Sequence, residues 1–499
     1  MRLPIVTSPH TRRAPRSAAT LIAAAACLCP WPVIARQKSD SPGSVVTRGL
    51  FRESAYPAGA DGSFDPARSY ELPSLIELGL ANNPVTRSAW FNALAKGAQV
   101  GEAKSLYYPK LSFVAQGGYV KTFYPTQLGN MSAMTTDVIP GLDLEYLLLD
   151  FGRRAADVRR TIFLLDAANL SFNRNIQSTV FAIQQSYFAH TAALSQRDAA
   201  GANLELSRTI LGMVEAQVAN GLGTKPELDT ARRTLAQAEF DLAAADRNVE
   251  VTLGNLRVAA GLPANAPLKV VPGERQGAGE SASFDTLGGN VDLLVDQAVR
   301  NRPDLAARES EIKASRAAVQ RAKADFLPKL SLQGDISNDT YVYNAAVPPQ
   351  SGTYYGNRVG YSGFAVLSWD LFDGFQRVER VKERQAEESQ ARANAESTRL
   401  QATQDVWTAY NDSLKARKRV AYADSLLVSA EENFKAARAA FDNQLLNITG
   451  LVSNQSALAA ARFEQAGARA DYLTSLASLS LAMGRVPSPK GTAVKPAGL

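Results

Sequence analysis

The 499-residue chain has two cysteines, Cys27 and Cys29, two histidines, His10 and His190, and long reaches without proline. No proline falls between Gly152 and Lys225, nor between Gly374 and Val486. Beyond residue 35 no apolar run approaches the roughly 18 residues that a membrane-spanning helix needs. Each scarcity excludes something. Arg2, Arg12, Arg13 and Arg16 precede the apolar stretch 18–28, and Val33-Ile34-Ala35 offers a small-residue cleavage site. Residues 1–35 therefore read as a secretory signal peptide. The run Ala24-Ala25-Ala26-Cys27 leaves a second processing open, acylation of Cys27 as a lipoprotein. Cleavage after Ala35 removes every thiol, and with it disulfides, thiolate nucleophiles and Cys-ligated metals. It also removes four arginines and no acid, so the net charge falls from +6 to 6 − 4 = +2. The basic balance then gives no support to a nucleic-acid partner. Export without a spanning helix leaves a soluble exported protein or a β-structured outer-membrane one.

Residues fit for catalysis are as scarce. His190 stands alone on a helical stretch among Tyr187, Phe188 and Thr191. Gly360-Tyr361-Ser362-Gly363 lacks the final glycine of a nucleophile elbow, and Phe364 holds its place. Gly221-Leu222-Gly223-Thr224-Lys225 is neither a P-loop nor a dinucleotide fingerprint. The expectation is a protein without catalysis or cofactor.

What the chain does contain is a duplication. Pro-Lys-Leu-Ser occurs at 109–112 and at 328–331, and residues 82–113 align without gaps on 301–332 at an offset of 219. Asp150 and Asp373, Asn220 and Asn443, and Leu228 and Leu451 continue the match at an offset of 223. A period this long marks a duplicated domain rather than a solenoid. In each half, Pro109 or Pro328 ends a helix by removing an N–H and clashing with the preceding turn. Alternation of period two follows, as in Leu111, Phe113, Ala115, Gly117 and Tyr119. Strands are predicted at 111–122, 137–149, 329–344 and 357–371, with loops at 125–136 and 345–357 between them. One apolar and one mixed face suit a lipid-facing barrel wall. Tyr107, Tyr108, Phe326 and Trp369 fit an aromatic girdle beside it. Four strands cannot close a barrel, which needs about eight, and lipid does not tolerate an open edge.

The proline-free reaches carry apolar residues at steps of three and four (Ile162, Leu165, Phe172, Ile176, Val180, Ile183, Tyr187), which predicts very long amphipathic helices. Two more follow with heptad seams. Leu228, Leu235, Leu242, Val249 and Leu256 alternate with Ala231, Ala238 and Ala245, a large-and-small pattern that brings helices close. The predicted boundaries are an arm over 36–69, a first repeat over 70–262, a linker over 263–290, a second repeat over 291–486 and a tail over 487–499.

The helix–strand–strand–helix order in duplicate, LLDFGRR at 148–154, LFDGFQR at 371–377 and NGLGTKPELDTARRTLAQAEFDL at 220–242 resemble TolC-type outer-membrane efflux proteins. That resemblance implies a homotrimer whose four strands per chain make one twelve-stranded barrel, continued by an α-helical barrel across the periplasm. It implies a channel in outer-membrane lipid, without a cofactor, fed by an inner-membrane pump or ABC exporter through a periplasmic adaptor. Asp150 and Asp373 are then expected to cap the long helices, and Gly152 and Gly374 to permit the bend. Gly221, Gly223, Thr224 and Glu227 would form the periplasmic tip, with Thr224-Lys225-Pro226-Glu227 as a capping box. The family alignment places Glu227 at an acidic gate position. Phe441 and Leu446 stand where the family can have Tyr and Arg, and Gly450 and Ser453 where it can have an aspartate ring. A periplasmic coiled-coil adaptor or structural protein is the alternative reading of the same heptads.

Overall fold

A computed structural model describes residues 64–126, 129–271, 291–345 and 352–485. The signal peptide, Cys27, most of the arm and the tail lie outside the described residues. The first repeat runs β1 (Ser69–Tyr70), α1 (Leu72–Asn82), α2 (Pro84–Ser105), β2 (Lys110–Thr126), β3 (Gly129–Leu149), α3 (Arg153–Ala219), α4 (Lys225–Ala259) and β4 (Lys269–Val270). The second runs α5 (Val291–Asn301), α6 (Pro303–Ala324), β5 (Lys329–Ala345), β6 (Gly352–Ser368), α7 (Gln376–Asp442) and α8 (Ile448–Ala482). Each helix of the first repeat has a counterpart of equal length in the second: 11, 22, 67 and 35 residues. At 1.5 Å per residue, α3 and α7 each extend about 100 Å.

The long helices hold together along alanine seams. Ala231, Ala238 and Ala245 of α4 are buried, while Leu228, Leu235, Leu242 and Val249 stay half-covered. Three apolar clusters anchor these helices to one another. Leu75, Phe172, Ile176, Ile183, Tyr187, Leu256 and Leu268 join α1, α3 and α4 midway along α3. Ile210, Val214, Phe434, Phe441, Ile448, Leu451 and Leu458 close the far end of α3, α7 and α8. Leu294, Ala298, Val406, Leu479 and Met483 build the third, where α5 meets α7 and the end of α8. The parallel pair β1–β4 lies over the first cluster, and the Tyr187 hydroxyl donates to the Val271 carbonyl at 3.2 Å. The ends of the predicted arm and linker are thus docked structure, because Tyr70, Ala266 and Leu268 have apolar surface to bury there.

The remaining strands form one antiparallel sheet in the order β2-β3-β5-β6. Its register separates two faces. Phe113, Leu142, Ile336 and Tyr361 stand in one cross-strand row, and Ser112, Asp143, Asp335 and Ser362 in the next. The apolar row points to solvent in the single chain. Strand boundaries differ from expectation at both ends of the sheet. The strands reach into the expected loops, with Thr126 opposite Gly129 and Ala345 opposite Gly352. Backbone pairing carries the ladder through segments whose side chains lack the alternation that marks a strand. At the other end, β6 stops at Ser368 rather than 371. Its counterpart β3 continues to Leu149 because β5 flanks it there, across a bulge between Leu147 and Leu149. The β6 strand has an open outer edge and no such support.

Candidate functional site

Two regions carry the sequence-predicted residues: the strand-to-helix junctions and the helical tips. At the first junction Asp150 Oδ2 accepts from the Arg154 N–H at 2.7 Å and from Arg154 Nε at 3.1 Å. Arg154 then ties the strand end to the helix. Its Nη1 donates to the Leu147 and Leu106 carbonyls at 2.7 and 3.2 Å, and its Nη2 to the Leu148 carbonyl at 3.2 Å. Tyr107 lies under the guanidinium at 4.7 Å from its ring centre. The second junction repeats the plan. Asp373 Oδ2 accepts from the Arg377 N–H at 3.1 Å and from Nε at 2.7 Å, and Phe326 replaces Tyr107 at 5.3 Å. Desolvation raises the Asp373 carboxyl, but the Arg377 hydrogen bonds and charge outweigh it and hold it below the ordinary carboxylate range.

The backbone turns at these junctions through two successive left-handed residues, Phe151-Gly152 in the first repeat and Gly374-Phe375 in the second. The helix N-cap positions are therefore Gly152 and Phe375, each two residues after the predicted aspartate. Asp150 and Asp373 reach across the turn to the first free N–H groups instead. Trp369 Nε1 donates to the Phe326 carbonyl at 3.1 Å, and Tyr107, Tyr108, Phe326 and Trp369 are all exposed in the single chain. The roles of Arg154 and Arg377 do not emerge from the sequence patterns above. A signal for them is present as a repeated Asp-to-Arg spacing of four.

At the other end, α3 closes on a Schellman turn: the Gly221 N–H donates to the Val218 carbonyl at 3.1 Å and the Leu222 N–H to Gln217 at 2.9 Å. Gly223 follows where a Cβ would lie 2.9 Å from Val218 Cγ2 and 3.1 Å from its nitrogen. Thr224 opens α4, and Glu227 Oε2 accepts from the Thr224 N–H at 2.7 Å and from its hydroxyl at 2.9 Å. In the second repeat Asn447 Oδ1 accepts from the Gly450 N–H at 2.9 Å. Leu446 folds over Gly450, whose missing Cβ would meet Leu446 Cδ1 at 2.6 Å. Phe441 is only 5% exposed and packs into the cluster of Ile210, Val214 and Ile448 within this chain. Leu222 and Leu445, one at each turn, are the exposed apolar side chains.

The model of the outer membrane efflux protein family matches residues 75–262 and 294–485. The chain belongs to that family. The two matched segments are separated by residues 263–293. Protein CyaE of Bordetella pertussis is 25% identical over 73% of this chain and 76% of its own length. Outer membrane protein OprJ of Pseudomonas aeruginosa is 24% identical over 76% of each. A crystal structure of a membrane protein from Pseudomonas aeruginosa shares the fold with a TM-score of 0.71 at 22% identity, covering 86% of this chain and 98% of that one. As an outer membrane efflux protein, the chain places its sheet in the outer membrane and its helices in the periplasm. The family is one of transport channels, which agrees with the scarcity of catalytic groups in the sequence.

Proposed function

We propose that three copies of this chain form one channel through which an inner-membrane pump or ABC exporter, coupled by a periplasmic adaptor, discharges its cargo. The open sheet carries this reading. Its apolar face is exposed, its outer strands β2 and β6 each leave an edge of 17 residues, and four strands fall short of the roughly eight a barrel needs. Three copies supply twelve strands and remove every edge from lipid. The polar row of Ser112, Asp143, Asp335 and Ser362 then lines the water-filled side. The apolar sheet face disfavours a soluble periplasmic adaptor or structural coiled coil. Glu227 acts at the tip as a helix cap, since one carboxylate oxygen holds both Thr224 contacts.

Light scattering on the detergent-extracted protein, with planar-bilayer recording on the same sample, tests the reading. A trimer with discrete conductance steps is expected. A monodisperse monomer, or recovery in the soluble periplasmic fraction, overturns it in favour of the alternative.

A further inference from the structure

We propose that neighbouring copies recognise each other through an inverted charge set, in which Glu102 of one copy pairs with Arg380 of the next, flanked there by that copy's own Glu383. The inference rests on the assembly proposed above. Within one chain the repeats meet where α3 packs on α6. There Arg321 Nη1 lies 3.0 Å from Asp157 Oδ1, and Arg160 Nε lies 3.1 Å from the same oxygen. Helix α3 recurs as α7 at an offset of 223, and α6 corresponds to α2 at an offset of 219. In a closed ring of alternating repeats, the junction between copies is therefore α7 against α2 of the neighbour.

Carrying the internal junction through these offsets converts all three charges. Asp157 becomes Arg380, Arg160 becomes Glu383, and Arg321 becomes Glu102. The set stays complementary while every sign reverses. Glu102 and Glu383 are exposed in the single chain and Arg380 is partly covered. Arg380 already faces Asp325 of its own chain at 3.5 Å, and 41% of its side chain remains exposed.

The reversal has a consequence for assembly. Helix α2 of another copy placed wrongly on α3 would set Glu102 against Asp157. Helix α6 of another copy placed on α7 would set Arg321 against Arg380. Both wrong junctions bring like charges together, and both right ones bring opposite charges together. Exposed ion pairs contribute little affinity singly, but repulsion against wrong partners gives specificity. The charges thus distinguish the junction within a chain from the junction between chains.

Thiols occur in this chain only at positions 27 and 29, so a Cys29→Ser background suits site-specific cross-linking. Glu102→Cys with Arg380→Cys, treated with a short bis-maleimide, should give covalent dimers and trimers on a denaturing gel. Asp157→Cys with Arg321→Cys should link only within one chain. Separately, Glu102→Arg and Arg380→Glu should each lower the dissociation temperature of the oligomer by a few degrees, and the double variant should recover it. Cross-links absent between copies of an oligomeric wild type, or a double variant no better than the singles, overturn the inference while leaving the channel reading intact. A monomeric wild type overturns both. Where a reversed variant fails to fold, the cysteine pair decides alone.

Discussion

Four helices end on the same turn, and the second tip is the exception among them. Gly221, Gly261 and Gly484 take the left-handed position after α3, α4 and α8. After α7 that position holds Gln444 at φ +60°, with its N–H donating to Phe441 at 2.9 Å and the Leu445 N–H to Ala440 at 2.8 Å. A side chain in this region costs about 1–2 kcal/mol. Gln444→Gly is therefore expected to slow amide exchange at this tip by about that free energy; faster exchange would show that the glutamine makes a compensating contact. The same scale holds His190, buried against Thr252 with Nδ1 at 3.2 Å from Oγ1. Burial first, and the Arg257 charge after it, outweigh a bond to Val249 and the Glu250 charge, and hold the imidazole below its ordinary 6.5. The unfolded chain thus takes up a proton near 6.5 while the folded one resists until lower pH. Stability from this site is full above that value and is lost as pH falls through it. Thermal unfolding at pH about 7.5 and about 5 should show a smaller acid loss in His190→Gln than in the wild type.

At the scale of elements, the two repeats solve one packing problem in two ways. A Cβ on Gly79 of α1 would lie 2.3 Å from Ile183 Cδ1, inside the fully buried cluster on α3. The counterparts of Gly79 and Ile183 are Ala298 and Val406, both buried, so one carbon has moved from one partner to the other. Gly79→Ala should cost about 1–3 kcal/mol by overpacking, and adding Ile183→Val should recover most of it. Independent effects that simply add would mean the two sites do not touch. The alanine seam of α4 behaves alike. Ala238 is 1% exposed, so Ala238→Leu should cost about 1–3 kcal/mol, whereas Ala244→Leu on the exposed face should be nearly neutral. Chemical denaturation of the two variants compares them directly. At the first tip, Glu227→Gln should keep the cap, because glutamine also serves in a capping box. Planar-bilayer recording should then find cation selectivity and cation block unchanged; a loss of either would place Glu227 in a ring at the channel mouth.

At the scale of the molecule, the repeats are equal in length but unequal in chemistry. Arg302, at the break between α5 and α6, binds Asp304 at 2.7 Å, Asp405 of α7 at 3.0 Å and the Ala482 carbonyl of α8 at 3.4 Å. Its counterpart Asn83 keeps the matching bond, to the Ala259 carbonyl at 3.2 Å, and its Oδ1 accepts from the Val85 N–H at 2.8 Å to cap α2, while a Thr86–Thr179 pair lies at 3.1 Å nearby. Duplication preserved the backbone contact and let the charges diverge.

The sequence by itself determined the duplication, the long helices, the alanine seams and the four strands. Each of these is a local or periodic property: proline and glycine set breaks, and spacing of three, four or two sets the element. The aspartates at 150 and 373 and the box at Thr224–Glu227 were legible for the same reason, since capping joins residues a few positions apart. Only the tertiary structure decided the rest. Arg154 became a junction hub because carbonyls of β3 and of the turn after α2 converge on it, and the β6 strand stopped early because its outer edge has no partner. Phe441 turned inward because α3 and α8 bury it. Those outcomes depend on surfaces brought together from distant parts of the chain, and no spacing rule records which surfaces will meet.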